Sequence, residues 1–292
     1  MARHFPLFGC GGNSDSFYAA GHKSSLEACE YLYGLGLAAY EYECTHGVRL
    51  SDAFCASLAK NAHDYAISLS VHAPYYINLA SEDEGIKQKS IVHILKTLRV
   101  AEKMGAGKVV FHPGTQGELK REQAMANALS LLEEVIFQAE REGLLDTVLL
   151  CPETMGKPGQ LGTLGEILQL CEVSERVRPT VDFAHIHALE GGKLLTRRDF
   201  ERIMLKIQRR LGEEAAHYLH IHFSPIEFGK QGERRHRCLM DKVFGPDFEP
   251  LAEVLLDYHF APTIICESAG QQAEDAVIFQ TIYESMRQEL QV

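Results

Sequence analysis

Acidic and imidazole side chains stand at the ends of successive apolar runs along most of this chain. His72 closes ISLSVH, His112 closes GKVVFH and Glu153 closes DTVLLCPE. Asp182 and His185 fall in PTVDFAH, His222 lies in HYLHIHFS and Glu267 closes PTIICE. These side chains are oxygen and nitrogen donors to divalent cations. Any one of them has an ordinary explanation as a hydrogen-bonded or ion-paired structural residue. Gathered in one place they would repel, or be desolvated at a cost, unless a cation neutralised them. A mixed His, Asp and Glu set suits Zn²⁺ or Mn²⁺, and the abundance of imidazole tilts it towards zinc. His220 and His222 are two apart on one strand and project to the same side, so either could serve.

Donors so far apart in sequence need elements that bring strand ends to one face. Apolar, β-rich runs occur near 4–9, 37–43, 67–73, 107–112, 147–153, 179–184, 217–223 and 262–267. Between and after them lie segments of helical period at about 22–34, 50–65, 85–105, 118–143, 162–175, 197–211, 248–259 and 272–289. Such alternation implies parallel pairing through right-handed crossovers, closed as a (β/α)₈ barrel of the TIM type. All eight strands of such a barrel present their carboxyl ends at one mouth. A doubly wound open sheet is the competing architecture and calls for a glycine-rich phosphate turn after the first strand. GCGGNS lacks the GxGxxG spacing that such a turn requires. No low-complexity tract or linker divides the chain, so a single domain over 1–292 is expected.

Composition narrows the setting. No run of 18 uninterrupted apolar residues exists, and the first residues lack the pattern of a signal peptide. The eight cysteines never form a CxxC pair, and Cys151 and Cys266 lie inside strand-like runs. They read as buried, reduced thiols of a cytoplasmic protein with no membrane partner. A formal charge of −11 argues against nucleic acid at first sight. Bound divalent ions would cancel several carboxylates, and the local field matters more than the global one.

Six motifs, HAPYYINLAS, FHPGT, CPETMGKPGQLG, VDFAHIHA, HFSPIEFGKQGERRH and IICES, occur in this order from the third strand to the eighth. In this the chain resembles the endonuclease IV group of AP endonucleases, within the xylose-isomerase-like barrels. The resemblance implies a trinuclear zinc centre that hydrolyses the DNA backbone 5′ to abasic sites. Glu153 would bridge two ions and carry the catalytic role. His72 and His112 would complete one ion, and Asp182, His222 and Glu267 the other. His185, Glu233 and His236 would take the third, giving two to three Zn²⁺ per chain, with Mn²⁺ as a substitute. His222 fits the family's strand-seven step better than His220 does. Two departures stand out: Glu233-Arg-Arg-His236 replaces the family's Asp-x-His, and Glu153-Thr154 replaces Glu-Asn.

The partner implied is double-stranded DNA. Lys230, Arg234, Arg235 and Arg237 surround His236 and could meet phosphates, or form a solvated surface loop. Tyr75 fits the offset of a tyrosine that the resemblance implies would contact DNA near the lesion, and a packing role is its other reading. A sugar isomerase or epimerase using one divalent ion would be satisfied by Glu153, Asp182, His222 and Glu267 alone. His72, His112, His185 and His236 are surplus to it. A metal-stabilised binding protein without turnover is the third class.

Overall fold

The apolar runs become strands because β-branched and aromatic residues alternate in them with residues of the opposite face. The computed structural model describes residues 4–290. Its strands, in chain order, are β1 (Leu7–Gly11), β2 (Ala39–Glu43), β3 (Ser68–His72), β4 (Lys108–Phe111) and β5 (Leu149–Pro152). They continue with β6 (Thr180–Asp182), β7 (His220–Phe223), β8 (Ile226–Gly229), β9 (Gly232–His236) and β10 (Thr263–Cys266). Eight of them form one sheet in the order β5-β4-β3-β2-β1-β10-β7-β6, every pairing parallel. Isolated parallel bridges, Leu150 with Val177 and Glu153 with Thr180, join β5 to β6 and close the sheet on itself. The result is a TIM barrel.

Helices follow the strands for local reasons as well as tertiary ones. The long helix Glu84–Met104 starts where Asp83 accepts a hydrogen bond from the Ile86 amide. It stops at Gly105, whose φ of +67° suits glycine. Its buried side, Ile91, Ile94, Leu95, Leu98 and Ala101, keeps the three-and-four spacing of one helix face. The helices Arg197–Leu211 and Gln272–Glu289 match the expected limits, and Arg121–Arg141 lies inside its expected segment. The segment expected at 22–34 begins instead with a short 3₁₀ turn, Ser25–Glu27, before the helix Ala28–Gly34.

The apolar core lies between the outer strand faces and the helices, with Val71, Val109, Phe111, Leu150, Val181, Ile221, Phe223 and Ile264 fully buried in it. The alternate, inward positions are unusually polar. Glu41, Ser70, His72, Thr180, Asp182, His220 and His222 are all buried. A barrel interior is ordinarily filled by branched aliphatic residues. Here a column of donors and acceptors runs up to the mouth. All eight cysteines are free, and only Cys238 is not buried.

A hairpin is added to the eight-unit pattern. β8 and β9 form an antiparallel hairpin after β7, with a register irregularity between Glu227 and Phe228. Gly232, at φ +84°, seats the hairpin against the loop after β5, where a Cβ would lie only 2.2 Å from the Gly156 carbonyl oxygen. The Glu233 amide donates to that same oxygen at 2.9 Å.

Candidate metal centre

Strand ends and the hairpin deliver the donors to one mouth. His72 ends β3, while His112, Glu153 and Glu267 each follow directly on β4, β5 and β10. Asp182 ends β6 and caps the helix Phe183–Leu189, its Oδ1 accepting from the His185 amide at 2.7 Å. That cap turns the chain sharply, so His185 enters the site from the first helical turn. Glu233 and His236 arrive on β9.

Glu153 is at the middle and almost fully buried. Its Oε2 lies 3.2 Å from His72 Nε2 and 3.0 Å from His112 Nε2. Its Oε1 lies 3.1 Å from His222 Nδ1 and 3.4 Å from His185 Nδ1. Glu267 reaches His222 Nδ1 at 3.2 Å and His236 Nε2 at 3.6 Å. Three of the donor sets that converge among the described residues hold only expected ligands: His72, His112 and Glu153; Glu153, Asp182, His222 and Glu267; and Asp182, His185 and His236. Two more bring in β2, as Glu41, His220 and His222 and as Glu41, Glu43 and Glu267. The sequence placed Glu233 in the third set. In the structure Asp182 joins it, and Glu233 Oε2 stands 3.4 Å from His185 Nε2.

The ring protons are placed by partners away from the centre. His72 Nδ1 lies 2.8 Å from the Ala73 carbonyl, and His185 Nδ1 lies 2.8 Å from the Thr154 carbonyl. A carbonyl only accepts, so each Nδ1 carries a proton and Nε2 is the nitrogen left to face the centre. His236 Nδ1 meets Ser224 Oγ at 2.7 Å, which leaves its Nε2 for the centre. Thr154 also accepts from the Asp182 amide at 2.9 Å and donates to the Asp182 carbonyl. These two bonds tie β5 to β6 beneath the site.

A cation fits this donor set. Asp182 Oδ2 and Glu233 Oε2 are buried without any hydrogen-bond partner among the described residues. Without a cation the carboxylates draw protons onto the rings. Burial pushes His72 down, but Glu43 and Glu153 more than reverse it and hold the ring at about 10. Burial likewise drives Glu267 well above the usual carboxylate range, against the pull of His222. Ions entering at neutral pH therefore have protons to displace.

Two carboxylates on β2 went unread in the sequence. Glu41 and Glu43 occupy alternate positions of AYEYE, so both face inward. Acid at two alternate positions of a buried strand was the available signal. Glu43 lines the mouth, and burial pushes its carboxyl up to about 7 despite His72. His220 sits one layer below His222, its Nε2 bonded to Glu41 Oε2 at 2.8 Å. His222, rather than His220, faces Glu153 and Glu267.

The mouth is a cavity of about 670 Å³ lined by His72, Tyr75, His112, His185, His236 and Glu267 among others. Tyr75 stacks on the His112 ring with centroids 4.9 Å apart, yet it stays half exposed. The basic segment is not a free loop. Arg234, Arg235 and Arg237 all pair with Glu227 on the neighbouring strand, and Lys230 sits exposed at the turn. Three guanidiniums around one carboxylate still leave the hairpin net positive.

Comparison with known proteins agrees with this architecture. The family model for xylose isomerase-like TIM barrels matches residues 29–287. An uncharacterized protein of Methanocaldococcus jannaschii is 34% identical over 90% of this chain and 93% of its own length. A probable endonuclease 4 of Aquifex aeolicus is 31% identical over 68% of this chain and 69% of its own. Among solved structures, endonuclease IV of Thermus thermophilus superposes with a TM-score of 0.71 at 21% identity, covering 97% of this chain and 100% of that one. A D-tagatose 3-epimerase-like protein superposes with 0.72 at 20% identity, covering 98% and 100%. Structural likeness at such identities speaks for the fold alone, whereas the family model and the sequence relatives speak for descent. The chain belongs to the xylose isomerase-like TIM-barrel family, as an endonuclease IV-like member.

Proposed function

We propose that this protein is a zinc-dependent phosphodiesterase that hydrolyses the DNA backbone 5′ to abasic sites, with two to three ions per chain. The observation that carries the reading is the pair of faces on Glu153, one oxygen turned to His72 and His112 and the other to His222 and His185. A carboxylate so placed can bridge two cations. His72 and His112 would hold one ion, Asp182, His222 and Glu267 a second, and His185, His236 and Glu233 the third. Zinc bound there lowers the pKa of water and stabilises negative charge on phosphate oxygens. Tyr75 offers an exposed ring to a nucleotide, and Lys230, Arg234, Arg235 and Arg237 offer donors to the phosphates.

The single-ion sugar epimerase has one observation in its favour. Glu153, Asp182, His222 and Glu267 form a complete ligand group by themselves. A duplex oligonucleotide with one abasic site separates the readings. Zinc-loaded protein is expected to cut it on the 5′ side of the lesion, leaving a 3′-hydroxyl, without added Mg²⁺. An abasic nucleotide has no base to unpair and is cheap to extrude into a cavity. Prior stripping with a strong chelator should abolish cutting. Interconversion of a ketose with no action on DNA would make the assignment wrong.

The hairpin is tested separately. Replacing Lys230, Arg234, Arg235 and Arg237 by alanine should weaken duplex binding and flatten its salt dependence by ~1 or more in log–log slope, since each phosphate contact contributes about 0.9. Bound metal should stay unchanged. An unaltered salt slope would leave these side chains as partners of Glu227 and nothing more.

A further inference from the structure

We infer that the cavity at the amino ends of the barrel strands binds the phosphate group of a small molecule, free or esterified, between Arg176, Arg178 and Lys108. The donors of the metal centre gather at the carboxyl ends. The opposite end holds a second cavity of about 470 Å³, bounded by Lys108 and Leu149, which begin β4 and β5, and by Pro179 and Leu219, which precede β6 and β7. Alternation brings the cations to it. Residues 176–178 run extended beside β5: the Leu150 amide donates to the Arg176 carbonyl at 3.0 Å, and the Arg178 amide donates to the Leu150 carbonyl at 2.9 Å. Val177 between them is fully buried in the apolar core, so both arginine side chains leave on the other side, where they line the cavity. On β4 the same alternation buries Val109 and Phe111 in the core and turns Lys108 inward.

The protein itself matches these charges poorly. Arg121, Arg202 and Arg210 each pair with a glutamate. Neither Arg176 nor Arg178 does so among the described residues, although acidic side chains outnumber basic ones 40 to 29 and Glu175 and Glu214 line the same cavity. The Arg178 guanidinium donates to the Val177 carbonyl at 3.1 Å, which fixes its direction and leaves the rest of its fork. Lys108 Nζ donates to the Tyr218 carbonyl at 3.3 Å, which holds it at the cavity wall. Burial pushes the Cys151 thiol on that wall up to about 12, and Lys108 and Arg178 both pull it the other way, so the two cations lie close to one inner surface. Guanidiniums two residues apart on one side repel, and an anion between them removes the repulsion. Their forks match the oxygens of phosphate or carboxylate in parallel hydrogen bonds. Three cations favour phosphate, because its ester brings about two negative charges and three acceptor oxygens. Glu175 and Glu214 are exposed at the rim, which suits a compact dianion better than a long polyanion. Leu149, Ala215 and Leu219 leave an apolar wall for a small organic body.

The test titrates zinc-loaded protein with inorganic phosphate, with glycerol 3-phosphate and, as an uncharged control, with glycerol, by isothermal titration calorimetry. Both phosphates are expected to bind and glycerol is not. Tighter binding of the ester would place an organic body in the cavity, and equal binding would name the free ion. Phosphate can also meet ions at the mouth, so the titration is repeated with cobalt(II) in place of zinc. Ligand at the amino end should leave the visible spectrum as it is. In the double variant Arg176→Gln, Arg178→Gln, affinity for this spectrally silent event should fall ~10-fold or more, the loss expected for charged hydrogen bonds. Metal content should stay unchanged. Arg176 is exposed, so the single variant Arg176→Gln carries the test should the double variant fail to fold. Absence of phosphate binding in the wild type would overturn the inference. So would binding confined to an event that shifts the cobalt spectrum, or wild-type affinity of the silent event in the folded variants. None of these readouts uses DNA, so the cavity and the nuclease assignment stand or fall separately.

Discussion

Glu153→Gln is expected to lower cleavage of abasic DNA by ~10³-fold or more, because it removes the charge that would be shared by two cations. The amide has one oxygen and one NH₂ where the carboxylate has two acceptors. Whichever way it turns, it presents a donor either to His72 and His112 or to His222 and His185. One of the two faces must therefore lose its ligand atom, and metal content should fall with activity. His236→Asn serves as the comparison. His236 belongs to a single donor set and lies at the rim on β9, about a fifth exposed. Its loss should be much smaller. Single-turnover rates with metal analysis on the same preparations decide the matter, and equal, mild losses in both variants would remove Glu153 from the bridging position.

Gly9→Ala is expected to destabilise the fold by about 3 kcal/mol, at the upper end of overpacking costs, without touching any donor. Gly9 is central in β1, in register with Ala39 on one side and Ile265 on the other. A Cβ there would lie 1.8 Å from the Ala39 carbonyl oxygen and 2.8 Å from its Cα. The obstacle is backbone held by hydrogen bonds, not a side chain that can swing away. Relief would require β1 and β2 to separate. Urea unfolding gives the answer directly, and an unchanged midpoint would mean that this part of the barrel is far looser than described.

The barrel was readable because its strands and helices each carry the period of their kind. The ends were less so. The sequence ran the sixth strand through Ala184, yet it stops at Asp182 because that carboxylate caps a helix beginning at Phe183. The apolar residues of DFAH look the same in either conformation, and only the cap distinguishes them. The seventh strand was expected from 217, but His217 ends a short helix. The β8–β9 hairpin was taken for a loop, since GERRH carries charge on both faces and lacks an apolar alternation. In the centre, histidines at strand ends could be found one by one. Glu41 and Glu43 went unread although acid at alternate strand positions was the signal, because its meaning depends on which strands lie opposite, and β2 faces β7 only across the closed barrel.

The junction of β5 and β6 rests on isolated bridges rather than a continuous ladder. Glu153 stands on one side of it and Asp182 on the other. Any cation gripped by both acts as a rivet through the weakest line of the cylinder. A closed barrel has no free strand edge, whereas a parted one exposes two, each able to recruit another chain. Stripping the ions would then threaten solubility as well as chemistry, and the ligands that would serve turnover would also guard against self-association.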